Sequence, residues 1–141
     1  MTVDISSIPA TTDTPEKRLA VKVINIVSLI HRKYVNEVEY CKARMAKFKE
    51  NLDKDPAHAF EWSGEYFQVA ANYKVASIIV ASMEGEGIDL RSLQEYLLGF
   101  VLHGARYPSQ STSPTTNLFE QCKLAAFTEA YRNLSGYLEG L

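Results

Sequence analysis

His58 and Glu61 stand three positions apart, the reverse of the Glu-x-x-His order with which paired helices clasp two metal ions. No second pair of that kind occurs, and a lone pair leaves a metal short of ligands. His31 and His103, far apart in sequence, are the other donors that a helical interior might bring onto haem or zinc. Single histidines in helical seams more often complete a hydrogen bond or fix register. Phosphate chemistry fares no better: "GEGI" follows a helix, where a phosphate cradle needs the order strand, loop, helix. "HGARYPSQS" has no strand before it and so makes no nucleophile elbow. No catalytic, cofactor-binding or metal-binding residue is expected, and the chain reads as non-enzymatic.

Charge is the next chemistry to weigh. The 141 residues carry a formal charge of −2, which creates no global field toward nucleic acid or anionic membranes. Its distribution is uneven, because residues 15 to 54 hold ten Lys or Arg against five acids and leave the remainder at −7. Lys42, Arg44, Lys47 and Lys49 crowd one stretch and form a candidate nucleic-acid contact through the phosphate backbone. The plainer alternative is a solvated helix face answered by acids on neighbouring helices.

The elements that must position these residues are helices. Residues 1 to 12 lack large apolar clusters and read as a flexible tail, leaving 13 to 141 as a single all-helical domain. Asp13 or Thr14 can cap a helix opened by Pro15, and no glycine or proline interrupts it until Pro56. Such a helix of some 38 residues runs ~57 Å, longer than a simple globule of this size, so it must kink or pack along something extended. Its apolar seam is Ile24, Val27, Tyr34, Val38, Cys41, Met45, Phe48 and Leu52, with His31 as the polar step.

A second helix over about 57 to 84 offers the seam Ala59, Trp62, Tyr66, Val69, Tyr73, Ala76, Val80 and Met83. Trp62, Ser63 and Gly64 also spell the W-x-G triplet of small secreted helical hairpins. Trp62 is explained as one step of the seam, and no tyrosine has the acid four residues on that the secretion family carries. Nor does any arginine have the histidine four to six residues later found in a family of helical ribonucleases. Beyond its seam, helix two carries Phe60, Phe67, Ala71, Val75, Ile78 and Ile79. Phe67, Ala71, Val75, Ile78 and Ile79 are therefore a candidate oligomer or partner interface, unless the other helices cover them.

Gly85 and Gly87 end helix two, and Asp89 can cap a third helix over about 90 to 105 that should be the most buried element. Leu90, Leu93 and Leu97 claim its inner face, which argues against a helix-turn-helix that would turn Arg91 and Gln94 inward. A twelve-residue Ser, Thr and Pro connection follows, and Asn117 with Glu120 suggests a capping box opening helix four. The expected architecture is an all-α, four-helix-bundle-like domain led by a long antiparallel helical hairpin.

No segment approaches the roughly 20 apolar residues that span a bilayer, and "MTVDISSIPATTDT" has neither part of a signal peptide. Cys41 and Cys122 read as buried, reduced thiols, and a cytoplasmic location is expected. The function expected from these features is a non-enzymatic protein-protein interaction module, such as an assembly subunit, adaptor, inhibitor or immunity-type protein. Its partner would be another protein or a second copy in a homodimer. The alternative is a small subunit or regulator touching nucleic-acid backbone through helix one.

Overall fold

In the computed structural model the described residues are 14–85 and 89–140, without the side chains of residues 58–60. The expected tail, Gly87, and the side chains of His58, Ala59 and Phe60 lie outside them. Four helices make the fold: α1, Pro15–Lys54; α2, Ala59–Glu84; α3, Leu90–Arg106; and α4, Pro114–Glu139. A short 3-10 turn, Pro56–His58, joins the first two, and no strand occurs among the described residues.

Each helix start has a local cause. The Thr14 side chain accepts from the Lys17 amide at 3.2 Å, with Pro15 placed where its missing N–H costs nothing. Asp89 does the same for the Ser92 amide at 2.8 Å. α4 opens three residues before the Asn117 expected as its cap. Ser113 caps it, accepting from the Thr116 amide, and Pro114 occupies its first turn. Asn117 instead ties down the preceding connection: its Oδ1 accepts from Ser109 Oγ at 2.7 Å and the Ser111 amide at 3.1 Å, while its Nδ2 donates to the Ser111 carbonyl at 2.8 Å.

α1 is one unbroken helix of 40 residues, and the second half of it forms an antiparallel hairpin with α2. Phe48 meets Trp62 and Tyr66, Cys41 packs with Val69, and His31 Nε2 reaches Glu84 Oε1 at 3.0 Å. His31 thus lies level with the end of α2, and the first ~16 residues of α1, roughly 24 Å, continue past it. α3 and α4 are also antiparallel, joined by Gln94 Nε2 donating to Ser135 Oγ at 3.0 Å and by Phe100 stacked on Phe127, centroids 4.4 Å apart. Phe67 against Phe119 brings the N-terminal halves of α2 and α4 together, and further along Val75 to Ile79 share a core with Ala126 to Leu134, so those two helices run parallel.

The main core joins all four helices. α1 gives Ile30 and Tyr34, α2 gives Val75, Ala76 and Ile79, α3 gives Leu90, Leu93 and Leu97, and α4 gives Ala126, Phe127, Ala130 and Leu134. A second cluster of Cys41, Phe48 and Val69 closes the hairpin's other end. The α1 seam holds at Tyr34, Cys41 and Phe48, whereas Leu52 is exposed and the fully buried Ile30 belongs to it too. α3 is not the most buried element. Its first half is enclosed, but only α4 packs closely along it, so Leu102 near its end is 59% exposed. α2 takes that place, because α1 and α4 flank it on two sides.

Three helical glycines have open space where a Cβ would stand: Gly64, Gly99 and Gly136. Gly64→Ala, Gly99→Ala and Gly136→Ala should each stabilise the fold by about 0.5–1 kcal/mol through lower unfolded-state entropy and better helix propensity, read as a rise in thermal midpoint. Gly104 differs, since a Cβ there meets Leu124 Cδ1 at 2.9 Å where α3 crosses α4.

Candidate interaction surface

The apolar set expected on the outside of α2 divides. Ala71, Val75 and Ile79 are 0, 3 and 1% exposed, buried by the chain's own helices, and cannot meet a partner while the fold is intact. The cause is that α1 and α4 both pack on α2, so two of its faces are internal. Phe67 and Ile78 are half-buried. Phe67 lies against Phe119, with centroids 6.3 Å apart. Ile78 joins Ala70, Tyr73, Ser77, Ala81 and Phe119 in lining a shallow, mostly apolar trough of about 470 Å³ along the outward side of α2, where the Ser77 hydroxyl has no hydrogen-bond partner among the described residues. Lys74 stands at this trough, and Lys123 lies 5.2 Å from the Phe119 ring while pairing with Glu120 at 2.7 Å. Phe119 and Ala81 carry no periodic signal that marks them as neighbours, because they come from different helices.

The basic quartet does not form one face. At about 100° per residue, Arg44 and Lys47 lie roughly 140–160° around α1 from Lys42 and Lys49. Between the pairs runs the buried stripe of Cys41 and Phe48. Arg44 is engaged across the hairpin at its surface, its guanidinium bonded to Glu65 and lying 5.0 Å from the Phe48 ring centroid. Lys42 pairs loosely with Glu39 at 3.8 Å. Lys54 donates to Glu50 at 3.0 Å, and with Lys47 close by it holds the Glu50 carboxyl below its ordinary range. Tyr40, missed as an exposed residue in the sequence, is 59% exposed on this helix.

A third feature, with no warning in the sequence, is a polar cleft of about 180 Å³ where α1, α2 and α4 meet. Small residues make it: Ala76, Ala126 and Ala130 leave space that larger side chains would fill. Lys33 and Glu37 come from α1, Asn72 from α2, and Glu129 and Asn133 from α4. Tyr34, 7% exposed, lines the inner end, and its hydroxyl is shut off from solvent with no hydrogen bond of acceptable geometry. Burial pushes that hydroxyl above its ordinary pKa. The neighbouring Asn133 carboxamide offsets part of the rise, while Tyr137, Glu129 and Glu37 add to it. Lys33 Nζ sits over two rings, 5.6 Å from Tyr34 and 5.9 Å from Tyr137.

The remaining candidate donors do not converge. His31 lies beside Glu84, whereas His103 lies near the other end of α3 with its ring 5.1 Å from Tyr107. Among the described residues no group of three or more His, Cys, Asp or Glu is placed to hold a metal ion, and no helix is long and apolar enough to cross a membrane. Both cysteines are free thiols, Cys41 buried and Cys122 half-buried.

Burial, with Glu37 nearby, pushes Cys41 up to about 11, and burial raises Cys122 as well. Since the unfolded chain releases its Cys41 proton first, this contribution to stability is complete below the ordinary thiol range and is lost as pH rises toward 11. A thiol reagent at pH 8 should label Cys122 in the folded protein and reach Cys41 only on unfolding, which mass analysis of timed samples would show. No protein-family model, curated protein or solved structure matches the chain.

Proposed function

We propose that the chain is a non-enzymatic helical interaction module that holds a protein partner against the trough on α2. The observation that supports this is the trough itself. Its surface is mostly apolar, built by Ala70, Tyr73, Ile78 and Ala81 with Phe119 of α4, beside Lys74 and Ser77. An apolar helix face fits such a groove through residues spaced three and four apart, and the small Ala70 and Ala81 let that helix approach closely. Lys74 at the trough favours acids flanking the partner's apolar stripe. A second copy of this chain, or another helical protein, supplies such a face.

Light scattering tests this reading, run on the protein alone and with a mixed RNA and DNA pool at low and moderate salt. The expected result is a mass that nucleic acid leaves unchanged at either salt, with any dimer dissociated by Ala81→Glu. A monomer whose mass rises with nucleic acid and falls back with salt would move the function to α1 and its basic residues.

A further inference from the structure

We propose that residues 1–13, which lie outside the described residues, dock back along the part of α1 that continues past α2 and close the apolar seam it carries there. The burial of two α1 side chains carries the inference. Ala20 is 3% and Val23 4% exposed, whereas Leu19 and Val21 beside them are 43 and 40% exposed. A helix that stood bare would leave all four open to water. Neither Ala20 nor Val23 belongs to the four-helix core or to the second cluster at the hairpin's other end. One face of this part of α1 is therefore covered by something outside both clusters, and the single chain supplies it.

The described helices stop short of that face. His31 is bonded to Glu84 at the end of α2, and Ala20 stands eleven residues further out, ~16 Å along α1. α4 comes near Lys33 with Tyr137 and runs only three residues more to its cap, Gly140, a rise of ~5 Å. Residues 86–88 are held at both ends, by Gly85 after Glu84 and by Asp89 before Leu90, which shares the main core with Ile30. Three residues tied in this way reach outward by about 7 Å at most. Residues 1–13 join α1 directly at Thr14, six residues from Ala20, and thirteen residues span ~43 Å when extended, ample to turn and cover the ~14 Å from Thr14 to Val23. Their composition matches the face. Val3, Ile5 and Ile8 supply apolar side chains, and Pro9, Thr11, Thr12 and Asp13 are residue types that suit the reversal. Asp4 and Asp13 come with no Lys or Arg, against three bases and one acid in residues 15 to 23. The seam belongs to α1 beyond the end of α2, so this inference does not rest on the trough.

The test compares thiol labelling, at about pH 8, of Ala20→Cys and Val21→Cys, each in a Cys122→Ser background, in the full chain and in a chain lacking residues 2–12. In the full chain Ala20→Cys should label about tenfold or more slower than Val21→Cys, at a rate that about hundredfold dilution leaves unchanged. Removing residues 2–12 should bring Ala20→Cys to within about threefold of Val21→Cys. Ile5→Asp with Ile8→Asp in the full chain should do the same, because a charge cannot stay against an apolar seam. The buried Cys41, unlabelled throughout, reports that the bundle is intact. Labelling of Ala20→Cys as fast as Val21→Cys in the full chain would overturn the proposal, as would protection that survives both changes. Protection lost on dilution would assign the cover to a second copy and overturn it equally.

Discussion

Ile79→Ala should cost the fold about 2–5 kcal/mol, while Ile78→Ala at the next position should cost about 1 kcal/mol or less. Ile79 is 1% exposed and joins Val75 and Ala76 of α2 with residues of α1, α3 and α4 in the main core. Removing its side chain leaves a cavity that close-packed neighbours on several helices cannot all move to fill. Ile78 only borders that core and faces the trough, so truncation there is largely relieved by solvent. Denaturant unfolding of both variants measures the contrast. Equal losses would show that α2 is rotated from the orientation described. The difference matters for function, because the same rotation decides which α2 side chains a partner can touch.

Phe48→Ala should be the largest single loss at the other end of the hairpin, about 3–5 kcal/mol. Phe48 is 5% exposed, and Tyr66 meets it edge-on with centroids 5.8 Å apart. Trp62 lies tilted at 6.2 Å and the Arg44 guanidinium covers the ring at 5.0 Å. Aromatic pairs of this geometry add to the area they bury, and the cation-ring contact depends on the ring remaining in place. Trp62 is the only tryptophan in the chain, so its emission should shift to longer wavelength in the folded variant as water reaches it. A loss under about 1 kcal/mol with unchanged emission would mean that this end of α1 and α2 is not packed as described.

The helices were largely legible because their boundaries are written in local chemistry. Thr14 with Pro15, and Asp89 before Leu90, mark starts that amide-to-side-chain hydrogen bonds confirm. The α4 start went astray because two signals compete within five residues. Asn117 and Glu120 resemble a capping box, but Ser113 followed by Pro114 provides both a capping oxygen and a first residue that needs no N–H partner. Burial was harder to read. α2 has apolar residues nearly all round, so periodicity could not tell a helix enclosed by its own chain from one that needs another. Only the packing of α1 and α4 on two of its sides separates Ala71, Val75 and Ile79 from the trough.

The basic quartet shows the same limit in another form. Lys42, Arg44, Lys47 and Lys49 are close in sequence, but helical rotation puts them on two flanks, and Glu65, 21 residues beyond Arg44 along the chain, claims it. The polar cleft left no trace in sequence at all. It depends on three alanines from two helices lying opposite side chains from a third.

A photo-crosslinking amino acid placed at Ala81 in the source cells, and in a parallel sample at Leu102, tests the proposed partner surface most directly. Both positions are exposed, but only Ala81 lies in the trough. The account predicts a discrete adduct of one defined mass from position 81, lost in the presence of Lys74→Glu, and none from position 102. Adducts of equal yield from both positions, or from neither, would contradict it.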